Sequence, residues 1–312
     1  MSSEHNLSGS PIVESIIQQK CVLVLGPDMA FESRKSLLRE LSGFLETKRF
    51  KHEFIESEEL FASSTKFKPL GYMHIPKFFE ALEPAEVHNL VADIPFHLVI
   101  SLSPDLLLKQ VFDSKNFDYS FSYYHRGRAS EELTEKPTKD KPLIYNLLGS
   151  YKQNTSLVLT FNDLFDYLVS VLGKFELPQV LRNELDEAYT FLFFGFKYDN
   201  WYFRLIMKLL NKDDNIIRQA PFEDIKDKEE VISFYTDELG LSFFEEGTGI
   251  DIIRQLHDYF GEQNMLRQPK KEEPAQGGNT IIVHGDDNII VQDVKSGQIN
   301  ISKSNSTNQD NE

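Results

Sequence analysis

Cys21-Val22-Leu23-Val24-Leu25-Gly26-Pro27-Asp28 is the stretch on which the fold turns. Five apolar residues in a row show no alternation of inside and outside. A run so short and uniformly apolar predicts a strand buried on both faces. Gly26 and Pro27 end it. Before it, Ile12, Ile16 and Ile17 recur at helical spacing. After it, Leu37, Leu38, Leu41 and Leu45 do the same within residues 30–47. Strand, turn and helix in this order open an α/β fold.

The same grammar continues outward. Phe96–Ile100 reads as a second buried strand, ending at Ser101-Leu102-Ser103-Pro104-Asp105, where a helix through Phe112 begins. Residues 119–124 fit an edge strand, and 131–141 a charged loop. Residues 142–148 are strand-like up to Gly149. Ser156-Leu157-Val158-Leu159-Thr160 is a further strand candidate, with a helix after Asp163. Thr190–Phe194 is the clearest strand; it ends at Gly195, and a helix starts near Asn200. Residues 240–244 give a last strand and 249–259 a last helix. Strands alternating with helices predict a doubly wound, Rossmann-like α/β domain, a parallel sheet with helices on both faces. It spans residues 1–262, with an insert at 48–93.

Composition changes after Gly261. Prolines, charges and a Gly-Gly pair mark a linker at 263–278. Three short β segments, Thr280–Val283, Ile289–Val291 and Ile299–Ile301, then form a small C-terminal β extension at 279–302, and 303–312 reads as a disordered tail. So small a β unit needs cover. It can dock on its own domain, or pair with other copies or a partner protein through open edges.

With 312 residues, 40% hydrophobic and 26% charged, the chain has a globular composition. The lone Cys21 excludes an internal disulfide framework and any zinc site of several cysteines, and points to a reducing compartment. A net charge of −16 opposes non-specific nucleic-acid binding. No apolar run reaches the roughly 18–20 residues that span a bilayer, and the N-terminus lacks signal-peptide blocks. The expectation is a cytoplasmic protein with neither nucleic-acid nor membrane partners.

Several residues carry two readings. The Gly26–Ala30 turn could cradle a phosphate at a helix start, or Asp28 could cap that helix. Asp105 and Asp199 precede helices and fit caps or acids. Gly195 allows a sharp turn or a close ligand. His125-Arg126-Gly127-Arg128 could hold a phosphate or form a solvated loop. Trp201, Tyr202 and Phe203 could stack on a base or pack the sheet. No histidine spacing fits a metal site, and nothing predicts a Ser-His-Asp triad or a cysteine nucleophile.

The series of strand ends resembles the sirtuin-like domains of bacterial conflict systems, relatives that hydrolyse NAD, over roughly residues 10–260. In that family the first strand ends in Gly-Ala-Gly-x-Ser, and others in Thr-Thr-Asn-x-Asp and Lys-Leu-His-Gly. An apolar strand ending in Thr follows, with an acidic residue nearby, and then one ending in Gly with an Asp shortly after. Gly26, Asp105, Gly149, the Thr160–Asp163 pair, and Gly195 with Asp199 match this scaffold. The family's second glycine is Asp28 here, its catalytic Asn falls at Ser103 or Pro104, and its catalytic His at Leu148.

The resemblance implies a site at Gly26, Asp28, Ser103, Asp105, Gly149, Thr160, Gly195 and Asp199, with no catalytic residue and no metal. It implies a catalytically degenerate nucleotide sensor or scaffold of a bacterial anti-phage defence system. No cofactor is required, and NAD or an ADP-ribose-type molecule is the expected ligand. One alternative is a divergent NAD hydrolase using Asp28, Asp105 or His125. The other is a purely structural oligomerisation protein, a homo-oligomer or one bound to a partner defence protein through the β extension.

Overall fold

The computed structural model describes residues 9–30, 36–62, 67–198, 200–210, 216–221 and 229–270. The chain divides into two units, residues 1–269 and 270–312. The β extension, the tail, the second half of the linker (271–278) and Asp199 lie outside the described residues.

In chain order, α1 (Pro11–Ile17) leads into β1 (Cys21–Leu25), and a 3-10 turn (Pro27–Ala30) follows. Next come α2 (Leu37–Thr47), a hairpin of β2 (Phe54–Ile55) and β3 (Leu60–Phe61), α3 (Phe67–Glu80) and α4 (Glu86–Asp93). Then β4 (Leu98–Ser101), α5 (Leu107–Ser114), β5 (Ser120–Tyr123) and β6 (Leu143–Asn146) build one half of the sheet. The other half follows α6 (Phe161–Val169) and α7 (Gln179–Asp186). It comprises β7 (Thr190–Phe194), α8 (Trp201–Leu210), β8 (Ile217–Pro221), α9 (Glu229–Leu239), β9 (Leu241–Phe244) and α10 (Gly249–Glu262).

Seven strands form one sheet in the order β5-β6-β4-β1-β7-β8-β9, every pairing parallel. This is the α/β, Rossmann-like sheet that the strand pattern predicts. Alternate residues of β1 serve opposite cores. Cys21, Leu23 and Leu25 pack with α1, α4, α5 and α10. Val22 and Val24 pack with α6, α7, α8 and α9. Apolar demand from both faces is why the strand shows no alternation. A third cluster joins α2 and α3 to Phe61, Leu107, Tyr151 and Leu157. It sets a small lobe over the loops that leave β4 and β6.

Two features of the main sheet differ from the sequence reading. Residues 156–160 are not a strand of the sheet. Leu157 and Leu159 are buried, but the segment makes only an isolated bridge, Phe61 to Thr160. Both edges of β1 and β4 are already paired, so this apolar run buries itself under the lobe instead. Conversely, β8 is missed by the pattern. Its Arg218 and Gln219 look like a loop, yet it sits between β7 and β9.

The chain crosses from β1 towards β4 on one side and from β7 towards β8 on the other. The crevice between the carboxyl ends of β1 and β7 is therefore the topological switch point, where ligands of such sheets bind.

Candidate functional site

Gly26 and Gly195 stand at that switch point, and they touch. A Cβ on Gly26 would lie 2.0 Å from the carbonyl oxygen of Gly195. Gly195 has φ +76°, and a Cβ there would meet Met29 at its side chain and, at 2.8 Å, its backbone nitrogen. The Gly26 amide donates to Phe194 O at 2.7 Å, and the Asp28 amide to Gly195 O at 3.2 Å. Two amides that a phosphate would need are committed to the chain itself. With Met29 against Gly195, the crevice is shut. As folded, this turn does not fit the diphosphate of NAD.

A small cavity of about 20 Å³ lies on either side of the turn, each with room for about one water. The first is lined by Gly26, Met29, His88, Ser101, Ser103, Asp105, Lys109 and Asn146. Ser103 Oγ donates to Asp105 Oδ2. Asp105 Oδ1 accepts the Leu107 amide at 2.9 Å, so this carboxylate, one residue before the N-cap Leu106, satisfies the first amide of α5. Asn146 Nδ2 donates to Asp105 O at 2.7 Å, tying the end of β6 to the loop between β4 and α5.

His88 enters from α4. Its Nδ1 accepts the Ala85 amide at 3.1 Å, which leaves the ring proton on Nε2. Burial pushes its pKa below the usual value, partly opposed by the Asp105 charge. The unfolded chain thus takes up this proton first as pH falls. Stability present above about pH 6.5 is lost as pH drops towards the lower, folded-state pKa. The expected result is a melting temperature that falls between pH 7 and pH 5 less steeply in His88→Asn than in wild type. Equal slopes would remove His88 as the cause.

The second cavity is lined by Pro27, Asp28, Glu59, Leu148, Lys197, Asn200 and Tyr202, among others. Buried Glu59 pairs with Lys197. Asn200 Nδ2 donates to the Tyr202 hydroxyl at 3.1 Å. Burial first, and the Glu59 charge next, push the Tyr202 phenol up, so it stays protonated. Leu148 projects only hydrocarbon into this group of polar side chains.

Of the sequence candidates, Gly26, Ser103 and Asp105 share one cavity, Asp28 lines the other, and Gly195 closes the turn between them. Gly149 and Thr160 line neither. Gly149, at φ +94°, is held where a Cβ would strike Ser156 O. Thr160 is fully buried and caps α6 in a reciprocal pair with Asp163. Arg126 of the basic cluster is also structural, bonding Asp163 at 2.7 Å and the Leu157 carbonyl. His125 meets Thr155 at 2.9 Å. Trp201 bonds Glu58 and Phe203 packs in the core. Cys21 is fully buried, its thiol pushed up to about 12, and is inert.

His88, Lys109, Asn146, Glu59 and Lys197 were not read from the sequence. Asn146, the last residue of a strand at the carboxyl edge, is the one a position rule could have found. Among the described residues no group of His, Cys, Asp or Glu could hold a metal ion. No described helix is long and apolar enough to cross a membrane.

A family model described as a SIR2-like domain matches residues 97–230. The match begins at β4 and takes in Ser103, Asp105, Gly149, Thr160, Gly195 and Asp199, but not Gly26 or Asp28. No curated protein matches the chain.

Proposed function

From the SIR2-like domain at residues 97–230, we propose a sirtuin-like, nucleotide-related role in which NAD or an ADP-ribose-type molecule is sensed and not hydrolysed. The observation that carries this is Leu148. It lines the cavity beside Asp28 and Tyr202, where the resemblance puts the catalytic histidine. A leucine has no lone pair and no transferable proton. The shut turn supports sensing over turnover, because a ligand must first displace Met29 from Gly195, and that coupling converts binding into a change of shape. The bacterial anti-phage setting, and a scaffolding role within it, follow from the sequence resemblance alone.

A second reading, a divergent NAD hydrolase, is favoured by a different cluster. His88, neutral through burial, faces Asp105 and Ser103 in the first cavity. Of the three residues suspected from sequence, Asp105 belongs to this cluster. His125 lines neither cavity.

Calorimetric titration with NAD, followed by chromatography for nicotinamide, separates the readings. The expected result is heat of binding with NAD intact. Met29→Ala should bind about tenfold more tightly, because less side chain must leave the crevice. Nicotinamide release that disappears in His88→Asn would establish the hydrolase and sink the sensor. No heat and no turnover, in either protein, would leave a purely structural role.

A further inference from the structure

One face of the domain has the composition of an interior. On α6 and the one-turn π-helix that continues it (Ser170–Lys174), Phe161, Phe165, Val169 and Leu172 point outward and are 48%, 59%, 55% and 64% exposed. On α8, Trp201 and Leu205 do the same. The Phe161 and Trp201 rings are 6.5 Å apart, so the two rows join into one strip. Three exposed aromatics alone leave on the order of 300 Å² of ring surface in water, at about 200 Å² per side chain. With the aliphatic residues added, the strip matches the largest apolar patches of monomeric proteins, which are commonly functional.

The strip is uneven in a particular way. Its aromatic end, Phe161 and Trp201, is a bulge. Its far end is a hole of about 300 Å³ between the π-helix, α7 and the end of α8, with an apolar wall of Leu172, Leu177, Leu205 and Leu209 and a charged rim of Glu176, Arg182, Asp186 and Lys208. Phe161 and Leu172 are eleven residues apart, roughly 16 Å along a helix axis. Charges of both signs adjoin the strip. Asp166 on α6 and Lys208 on α8 are both exposed, and neither has an ion-pair partner among the described residues.

We propose that this face is a two-fold interface with a second copy of this chain. A two-fold contact needs one surface that complements itself. Laying α6 of one copy antiparallel across α8 of the other sets each aromatic bulge against the opposite hole. In the same arrangement each Asp166 pairs with the other copy's Lys208, which lies in the lining of the hole. Bulge and hole, acid and base, are each satisfied twice by one rotation. The strip with its polar border approaches the roughly 800 Å² per partner of a standard interface. The interface is independent of whether nucleotide binds.

The test is the mass of the full chain by light scattering across a range of concentrations. Wild type is expected at about twice 36.1 kDa. Phe165→Glu changes an exposed side chain and should shift the protein to the monomer mass with its far-ultraviolet circular dichroism unchanged, while its melting temperature loses the concentration dependence that a dimer has. Asp166→Lys and Lys208→Asp should each weaken the dimer by about tenfold, and the double variant should restore it, since only partners in contact rescue one another. A monomeric wild type overturns the proposal. So does an oligomer whose mass Phe165→Glu leaves unchanged, as assembly through residues 279–302 would give. Charge variants that fail to rescue overturn the antiparallel arrangement.

Discussion

Gly26→Ala should unfold in urea with a loss of roughly 3–5 kcal/mol. The added methyl has nowhere to go, because its nearest neighbours are the carbonyl oxygen and carbon of Gly195, at 2.0 and 2.6 Å. These are backbone atoms, and the Gly195 carbonyl also accepts the Asp28 amide. Relief must therefore separate β1 from β7 at their carboxyl ends. Overpacking of this kind costs about 1–3 kcal/mol. The two hydrogen bonds at risk, from the Gly26 and Asp28 amides, add about 1 kcal/mol each. Gly43→Ala is the control. Gly43 lies on the exposed face of α2, and a Cβ there meets nothing within 4 Å. It should gain roughly 0.5–1 kcal/mol from helix propensity. Two identical chemical changes then act in opposite directions. A Gly26→Ala loss below about 1 kcal/mol would mean that the turn is not held against Gly195.

Arg267→Ala is expected to be comparably severe, by a loss of about 3–5 kcal/mol. Arg267 is only 7% exposed. Its guanidinium donates to Ala92 O at 2.9 Å, to Ile94 O at 3.1 Å, to Phe96 O at 2.9 Å and to Lys139 O. It also stacks 5.1 Å over the Phe112 ring. Burial pulls its pKa down to about 10, with Asp140 and Asp93 opposing, so it remains charged at neutral pH. Removal strips four carbonyls at once from the segments that lead into β4 and β6. Arg267→Lys should recover less than half of the loss, because an ammonium cannot reach four acceptors spread around a planar fork. Melting curves of the three proteins decide this. Full rescue by lysine would reduce the residue to a point charge.

The legible part of the fold was the set of strands buried on both faces. Residues 21–25 and 190–194 announce themselves by composition, and their parallel pairing follows from the helices between them. Residues 156–160 carry the same signal and are not in the sheet, because an apolar run says only that a segment is buried. Whether a sheet edge is free to receive it depends on strands far away in sequence. Arg218 and Gln219 hid β8 for the opposite reason. Polar side chains tolerated in a strand near the sheet's end look like a loop.

The site divides along the same line. Gly26 and Gly195 were visible as glycines that end strands. That they press against each other, and spend the amides a phosphate would need, is a contact across about 170 residues that no local pattern records. His88 comes from a helix read as part of an irregular insert, so its place beside Asp105 was out of reach. The Thr160 and Asp163 cap was within reach, since the spacing of a hydroxyl and an acid three residues on is a local signature.

The position of β1 in the sheet has a consequence for how the protein is made. Its two neighbours are β4 and β7, and Leu25 and Thr190 are 165 positions apart in the chain. At about 5–20 residues per second on the ribosome, one edge of the most apolar strand waits on the order of 10–30 s for its partner. Throughout that interval the nascent chain carries an unpaired β edge of Cys-Val-Leu-Val-Leu, the kind of segment that recruits another strand when none of its own is ready. Yield in the cell is therefore set by what shields residues 21–25 during synthesis, before the finished sheet exists to protect them.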